Sequence, residues 1–184
     1  DSIQMVLAAM VLSMLLAPLL IRYNGRIVKR LVPGYRERRE SNLDSIRSAS
    51  SHAHGHVILC GYGRSGQNIA WMLRKENLPC LGLDLDPVRV RDARDAGEQV
   101  VYGDAARRYV LLVAGLMQAR ALSISFIDPT VAFRILSATR DLRPDMPVIV
   151  RTIDDRDMEE LKKAGATEVV PESLEGSLMM GSHV

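Results

Sequence analysis

The chain has 184 residues, which is enough for one ordinary domain with a buried core. The formal charge is +2 overall, but the stretch from Ser48 onward has 16 basic and 18 acidic residues, or −2, so general electrostatic attraction to nucleic acid is not expected. The two cysteines, Cys60 and Cys80, lie in separate apolar segments, which is typical of reduced core thiols and argues against a disulfide framework.

The first predicted element is a membrane helix. Residues 3–21 contain no charged side chain, and at about 1.5 Å per residue such a helix would cross the ~30 Å hydrocarbon layer. Residues 22–47 follow with eight basic and three acidic residues, which indicates the cytoplasmic side. The chain begins at Asp1 without a signal-peptide pattern, so we predict that residues 1–21 form the last helix of a membrane domain. A lone signal anchor is the alternative.

The next predicted segment, residues 22–54, is a basic and Ser-rich cytosolic linker with room for a short amphipathic helix. Near its end, His52, His54 and His56 alternate, so they could share one face of an extended segment and bind a metal ion. No cysteine or carboxylate nearby completes a tetrahedral set, and we therefore predict no metal site.

From residue 55 to the end, short apolar runs alternate with stretches of helical periodicity, which is typical of a parallel sheet with helical crossovers. Because the predicted strands are apolar throughout, helices are expected on both faces. The sequence thus predicts a Rossmann-like, doubly wound α/β fold over residues 55–184 with a parallel six-stranded sheet. Strands are predicted at 56–60, 80–84, 99–102, 121–125, 147–151 and 168–170, and helices at 65–77, 87–96, 106–117, 129–142 and 155–164, with another after Pro171.

A glycine-rich turn with G-x-G-x-x-G spacing joins the first predicted strand to the first helix, which is the context that nucleotide binding requires. Gly61 permits the tight turn, Gly63 lets a phosphate approach the backbone, and Gly66 lets helix and strand pack closely. Free amides at the start of the helix attract an anion. Packing alone is the alternative reason for such glycines. The candidate residues of this turn are Gly61, Tyr62, Gly63, Arg64, Ser65 and Gly66, with Arg64 placed to bind a phosphate.

Asp84 ends the second predicted strand, 23 residues after Gly61, where a carboxylate can accept hydrogen bonds from both ribose hydroxyls. It would repel a 2′-phosphate, and no arginine immediately follows it. The expected ligand is therefore AMP, ADP, ATP or NAD(H) in preference to NADP(H). A helix cap or a solvated strand end is the alternative role of Asp84.

The third predicted strand runs into Gly103-Asp104-Ala105, a turn that would lie beside the adenosine. Asp104 could contact the adenosine, cap a helix that begins near Ala106, or do both. Leu85 and Ala105 complete the predicted site.

Groups suited to catalysis are not apparent in the predicted domain. Hydride transfer needs a positioned acid or base and a substrate pocket, whereas His56 lies at the wrong end of its strand. No G-K-[ST] sequence follows the glycines, and no Ser/His/Asp or Cys/His pattern is present. We therefore predict a binding module and not an enzyme.

Taken together, these residues resemble the RCK or KTN (TrkA-N) domain that regulates bacterial potassium channels, Trk-type uptake systems and Kef-like cation:proton antiporters. The resemblance covers roughly residues 54–178. With an apolar helix and a basic linker ahead of it, the chain is similar to the end of a Kef-like monovalent cation:proton antiporter. The segments that carry the resemblance are HVILCGYGRSGQNIA, GLDLDP, VVYGDA, PVIVRTIDD and LKKAGATEVVPESLEGSL.

The resemblance implies a nucleotide on the glycine turn, with Arg64 at the phosphate, and Asp84 and Asp104 at the adenosine. It implies a homodimer through this domain, and a ligand that gates the membrane helices of the same transporter by favouring one arrangement of the pair. It also implies a bacterial inner-membrane location with the nucleotide-binding domain in the cytoplasm. Glutathione control is not expected, since this chain has Arg151-Thr152-Ile153-Asp154 where some Kef members have Arg-Ala-Arg-Asp.

Two other functions stay open on the sequence. One is the gating domain of a potassium channel, and the other is a membrane-anchored NAD-dependent oxidoreductase.

Overall fold

The structure, a computed structural model, describes residues 4–7, 10–14, 16–18, 35–50, 54–153 and 156–172. Within these residues, six strands form one sheet in the order β3-β2-β1-β4-β5-β6, and every neighbouring pair is parallel. The predicted Rossmann-like, doubly wound α/β fold is therefore confirmed. The strands are β1 (Val57–Cys60), β2 (Cys80–Asp84), β3 (Val100–Tyr102), β4 (Ala121–Ile124), β5 (Val148–Thr152) and β6 (Glu168–Pro171).

Helices connect these strands. From β1 the chain moves outward to β2 and β3, and it then returns past β1 to β4 and continues the other way to β6. Because parallel crossovers are right-handed, this reversal places the helices on opposite faces of the sheet and makes the gap between β1 and β4 the switch point. The helices are α1 (Tyr35–Ser50), α2 (Arg64–Lys75), α3 (Pro87–Asp95), α4 (Arg108–Val113), α5 (Pro129–Leu142) and α6 (Arg156–Lys163).

The central strand β1 is buried on both faces, which explains why all four of its residues are apolar. Ile58 and Cys60 belong to the larger hydrophobic cluster, whereas Leu59 belongs to a second cluster with Tyr62 and Val90. Burying an aliphatic side chain of this size contributes about 1.5–3 kcal/mol, so this alternation fixes the strand in its register.

Two helices begin where the sequence predicts, because each opens with an Asp-Pro pair. The carboxylate of Asp86 accepts hydrogen bonds from the Val88 and Arg89 amides, and Asp128 does the same for the first turn of α5. Proline at the first helical position suits the helix start, since its missing N–H is not needed there. These caps mark the residues at which α3 and α5 begin.

The helix predicted at 106–117 is shorter in the structure, where α4 ends at Val113. The Leu116 amide donates to the Leu111 carbonyl and the Gly115 amide to the Leu112 carbonyl, which is the hydrogen-bond pattern of a helix closed by a glycine. An added Cβ at Gly115 would lie 3.0 Å from the ring of His56, so the chain turns away here to pass the buried histidine.

The predicted linker contains a longer helix than expected, the 16-residue α1. From Asn42 onward the described residues belong to one compact unit. Ile46 is only 1% exposed and joins the larger hydrophobic cluster, and the Ser50 hydroxyl donates to the Val113 carbonyl at 2.7 Å. The end of α1 is therefore packed as part of the domain.

Residues 4–7, 10–14 and 16–18 are helical, and their apolar side chains are exposed, including Met5 and Met14. No helix of the described residues combines the length and the apolar character that a membrane crossing needs. The predicted membrane helix over residues 1–21 lies partly outside the described residues, as does the helix predicted after Pro171.

Candidate functional site

An open cleft of about 680 Å³ lies at the carboxyl ends of the strands, above the switch point between β1 and β4. Ligands of open parallel sheets bind at this position, and the volume is within the usual range for small-molecule sites. Nine predicted residues line the cleft or its floor: Gly61, Gly63, Arg64, Ser65, Asp84, Leu85, Asp104 and Ala105 line it directly, and Gly66 supports the turn beneath.

Gly61 and Gly66 are required by packing. Gly61 has φ +91°, and an added Cβ would lie 2.9 Å from both the Phe126 ring and the Ser125 hydroxyl. An added Cβ at Gly66 would overlap the carbonyl oxygen of Gly61. The hydroxyl of Ser125 donates to that carbonyl at 2.8 Å and is also 3.1 Å from the Cys60 carbonyl. The turn is therefore held rigidly against β4.

Gly63 differs from the other two glycines because the protein itself leaves space beside it. Among the described residues, the nearest atom to an added Cβ would be Nη1 of Arg89, at an ordinary 3.5 Å. Gly63 also occupies the N-cap position of α2, where it has no side chain to cap the free amides of that helix. Amides without a side-chain cap at the start of a 12-residue helix, approached at Gly63 only by the end of a flexible side chain, suit a phosphate group.

Arg64 and Ser65 line the cleft at the first turn of α2. The Arg64 side chain is exposed and the Ser65 side chain is half-buried. Asn68, one turn further along the helix, also lines the cleft and was not predicted. These polar groups lie around the first turn of α2, whose amides would bind a phosphate.

Asp84 faces the glycine turn, as the sequence predicts. Its carboxylate is 6% exposed and accepts hydrogen bonds from the Tyr62 amide at 2.6 Å and the Asp86 amide at 2.7 Å. Nη1 of Arg89 donates to the same carboxylate at 3.3 Å. The two carboxylate oxygens have four lone pairs, three of which these bonds use, so one position on Oδ1 remains for a ribose hydroxyl.

Tyr62, a predicted site residue, donates its backbone amide to Asp84, and its side chain does not line the cleft. The ring is 3% exposed, packs in the second hydrophobic cluster and lies against Gly82. Burial raises the pKa of the phenol to about 12, and the nearby charge of Glu98 acts in the same direction. The ring anchors the turn from below and does not line the cleft.

Asp104 and Ala105 lie at the end of β3, on the side of the cleft expected for the adenosine. The Asp104 carboxylate accepts hydrogen bonds from the Ala106 amide at 3.1 Å and from Nε of Arg107 at 2.9 Å. It thus stabilises the turn before α4, but α4 begins at Arg108 and not near Ala106, so Asp104 is not its N-cap. Leu85, 55% exposed, completes this wall.

The opposite wall of the cleft, at the ends of β4 and β5, was not predicted. Ser125, Phe126 and Ile127 come directly after β4, and the half-buried Arg151 near the end of β5 forms an ion pair with Glu172 at 2.8 Å. The position of the first three residues directly after β4, which borders the switch point, was the available signal. The cleft is therefore built from both halves of the sheet.

The histidines predicted to form no metal site do not come together in the described part of the chain. His52 lies outside it, His54 is exposed, and His56 is fully buried with its Nε2 atom 2.9 Å from the Ala114 carbonyl. Among the described residues, no group of three or more histidine, cysteine or acidic side chains is placed to hold a metal ion.

The structure has the three features of Rossmann-type nucleotide-binding domains. They are a parallel sheet of this strand order, a glycine turn before a helix whose first amides have no side-chain cap, and an acidic residue at the end of β2. Residues 57–172 match the model of the TrkA-N domain. The chain belongs to the TrkA-N domain family.

One curated relative is a protein of Alkalimonas amylolytica named as the K(+) efflux antiporter KefB. It is 42% identical over 184 residues, which is 100% of this chain and 28% of the relative. The chain therefore spans less than a third of that protein. Because the identity covers the whole chain, it includes the segment before the TrkA-N match.

Two solved structures share the fold. The TrkA-N domain of the inner membrane protein YbaL from Escherichia coli has a TM-score of 0.65 and 26% identity, over 72% of this chain and 98% of that one. A Kef C-terminal domain from Shewanella denitrificans, solved in its AMP-bound form, has a TM-score of 0.59 and 29% identity, over 68% of this chain and 76% of that one.

Proposed function

We propose that this chain is the nucleotide-binding regulatory part of a Kef-like potassium:proton antiporter and that it has no enzymatic activity of its own. The observation that carries the proposal is the uncapped start of α2 at Gly63, where an added Cβ would meet only the end of the Arg89 side chain, in the same turn whose Tyr62 amide donates to the Asp84 carboxylate. The relation to a K(+) efflux antiporter over the full chain favours this function over the gating domain of a channel or an oxidoreductase.

The proposed ligand is AMP or another adenine nucleotide, ADP, ATP or NAD(H). Its phosphate would rest on the amides of Gly63, Arg64 and Ser65, where the helix start favours an anion. Asp84 would accept the ribose hydroxyls, and Asp104 would border the adenosine. The AMP-bound form of the Shewanella denitrificans Kef domain supports this choice of ligand.

The proposed partners are a second copy of the domain and the membrane helices of the same transporter, in a bacterial inner membrane with this domain in the cytoplasm. A nucleotide regulates such an assembly only if it binds one arrangement of it better than another. One contact in the domain suits that purpose: an added Cβ at Gly103, next to Asp104, would lie 3.2 Å from Ile46 of α1. The nucleotide cleft and the end of α1 thus share one packed layer.

Calorimetric titration of the full chain with AMP, ATP, NAD and NADH tests the binding. We expect at least one of them to bind, and the Asp84→Asn variant to bind it about tenfold or more weakly, since a neutral amide removes a charge-assisted acceptor. Asp141→Asn is the matched control, because Asp141 is an exposed carboxylate that pairs with Arg108 on the surface. No binding of any nucleotide at millimolar concentration would refute the proposal.

The regulatory role is tested in the full-length transporter. We expect potassium efflux from proteoliposomes to change when AMP is added, and the change to be lost in Asp84→Asn but kept in Asp141→Asn. Efflux that is indifferent to every nucleotide, in a protein that binds one, would show a ligand without a regulatory role.

A further inference from the structure

Arg89 lines the cleft, although its sequence position gave no sign of this. It lies in the first turn of α3, five residues after Asp84. Its guanidinium holds two carboxylates at once: Nη1 lies 3.3 Å from Oδ2 of Asp84 and Nε lies 3.0 Å from Oδ2 of Asp86. Asp84 is thus already paired with a cation at the position where ribose hydroxyls are expected.

The same guanidinium also borders the space expected for the phosphate. Nη1 of Arg89 lies 3.5 Å from the position of an added Cβ at Gly63, directly beside the open face of the glycine turn. One terminal nitrogen therefore contacts the carboxylate that would hold the sugar and also lies next to Gly63 at the start of α2. A nucleotide cannot occupy both positions without meeting Arg89.

Electrostatics determine whether Arg89 stays paired with Asp84 or pairs with the phosphate of a bound nucleotide. Asp84 is almost completely buried, and its negative charge would repel a phosphate a few ångströms away in a partly desolvated cleft. Neutral ribose hydroxyls can take over hydrogen bonds to Asp84, while a phosphate offers the guanidinium a stronger partner through charge-assisted, bidentate bonds. The exposed fraction of the Arg89 side chain, 45%, leaves it free to reorient.

We infer that Arg89 is a specificity-determining residue that exchanges Asp84 for the phosphate of the bound nucleotide, so that the site selects nucleotides over nucleosides. Asp86 keeps its bond to Nε and so tethers the guanidinium at the start of α3 during the exchange. The backbone amides of Val88 and Arg89 bind the other oxygen of Asp86, which keeps the tether in place. The inference rests on the proposed nucleotide site and adds the chemical group that the site distinguishes.

The experiment compares AMP with adenosine by calorimetric titration of the full chain, of Arg89→Gln and of Arg91→Gln. Arg91 is a matched control on the same helix, because it is exposed and pairs with the exposed Asp92. Arg89→Gln is expected to weaken AMP about tenfold and to leave adenosine within about twofold, so that the preference for AMP collapses. Arg91→Gln is expected to keep the preference of the unchanged protein, and Arg89→Lys to fall between the two.

Three results would overturn the inference. If Arg89→Gln weakens AMP and adenosine equally, Arg89 only orders the site. If it changes neither, Arg89 does not contact the ligand. If the unchanged protein binds neither compound nor any other adenine nucleotide, the proposed function fails together with the inference, whereas in the first two cases the proposed function stands. Circular dichroism and thermal unfolding of each variant verify that it is folded.

Discussion

Gly66 packs directly onto the carbonyl group of Gly61, whereas an added Cβ at Gly63, between them, would make only an ordinary contact with the end of the Arg89 side chain. The three glycines of one motif therefore have different physical roles. Two of them allow the turn to form and to pack against β4, and the third leaves room in front of free helix amides. This difference separates stability from ligand binding in a way that single substitutions can measure.

Gly66→Ala is expected to destabilise the protein by about 1–3 kcal/mol, because its methyl group would overlap backbone that cannot easily move. Gly63→Ala is expected to change the free energy of unfolding by less than about 1 kcal/mol, since its backbone angles suit any residue and its methyl group would make only an ordinary contact at 3.5 Å. Urea denaturation of both variants measures the difference. Equal destabilisation by the two alanines would contradict the assignment.

Gly63→Ala should affect nucleotide binding much more than it affects stability. A methyl group at Gly63 would occupy the space expected for the phosphate, so we expect Gly63→Ala to weaken AMP about tenfold or more while the protein stays folded. Titration at a temperature well below the unfolding transition makes this comparison. Unchanged AMP affinity in Gly63→Ala would place the phosphate elsewhere.

Ile46→Ala is expected to destabilise the domain by about 2–5 kcal/mol, because it removes most of a side chain that is 1% exposed and leaves a cavity in the core. Arg47→Ala serves as the control on the same helix, where an exposed side chain pairs with Asp44 and contributes little. Chemical denaturation, followed by circular dichroism, measures both. A loss below about 0.5 kcal/mol for Ile46→Ala would show that the end of α1 is not docked in solution.

The two cysteines are expected to react slowly with a thiol reagent at neutral pH, with Cys60 slower than Cys80. Burial raises the pKa of the Cys60 thiol to about 12 and also raises the pKa of Cys80, so neither forms the reactive thiolate readily. Labelling with Ellman's reagent, with and without denaturant, measures the rates. Reaction of Cys60 as fast as that of a short peptide would refute its burial.

The same groups predict how stability depends on pH in the alkaline range. Raised pKa values mean that both thiols and the Tyr62 phenol keep their protons in the folded protein at pH values where the unfolded chain loses them. The stability that they contribute is therefore complete below about pH 9 and is lost as the pH rises toward about 12. Urea midpoints measured from about pH 8 to about pH 10.5 should fall, and Cys60→Ala should make the fall shallower.

Asp86 is expected to titrate below its ordinary value of 3.8, because its bonds to the Arg89 side chain, and then to the Val88 and Arg89 amides, lower its pKa. A lowered pKa means that its contribution to stability is present above about pH 4 and is lost as the pH falls through the folded value. NMR titration of the carboxyl carbons measures this. Arg89→Gln should raise the pKa of Asp86 toward its usual range, and Arg91→Gln should leave it unchanged.

Much of the fold could be predicted because the signals are local. The apolar runs of β1 and β2 are short and buried on both faces, and the Asp-Pro pairs at 86–87 and 128–129 mark where α3 and α5 begin. The end of α4 could not be predicted in this way, since it depends on the packing of Gly115 against His56, which lies 59 residues earlier in the chain.

The site divides in the same manner. The glycine turn and Asp84 follow a known spacing, so their positions at the cleft could be predicted. The orientation of the Tyr62 side chain could not be predicted from its place in the glycine turn. Its ring packs in the core, in the space that Gly82 of β2 leaves by having no side chain. The role of Arg89 could not be predicted because it depends on the fold. The first turn of α3 brings its side chain back to Asp84, five residues earlier in the chain.

The contact between Ile46 and Gly103 bears on where this protein can be cut. Ile46 lies outside residues 57–172, the segment that matches the family model. Its side chain nevertheless fills a socket, by which we mean the core space beside Gly103 that Val110 and Leu83 also border. A truncated version that starts at residue 55 would expose this socket to water beside the nucleotide cleft. A version for crystallisation or NMR should therefore retain α1 from Tyr35, even though the repeating strand-helix pattern begins only at Val57.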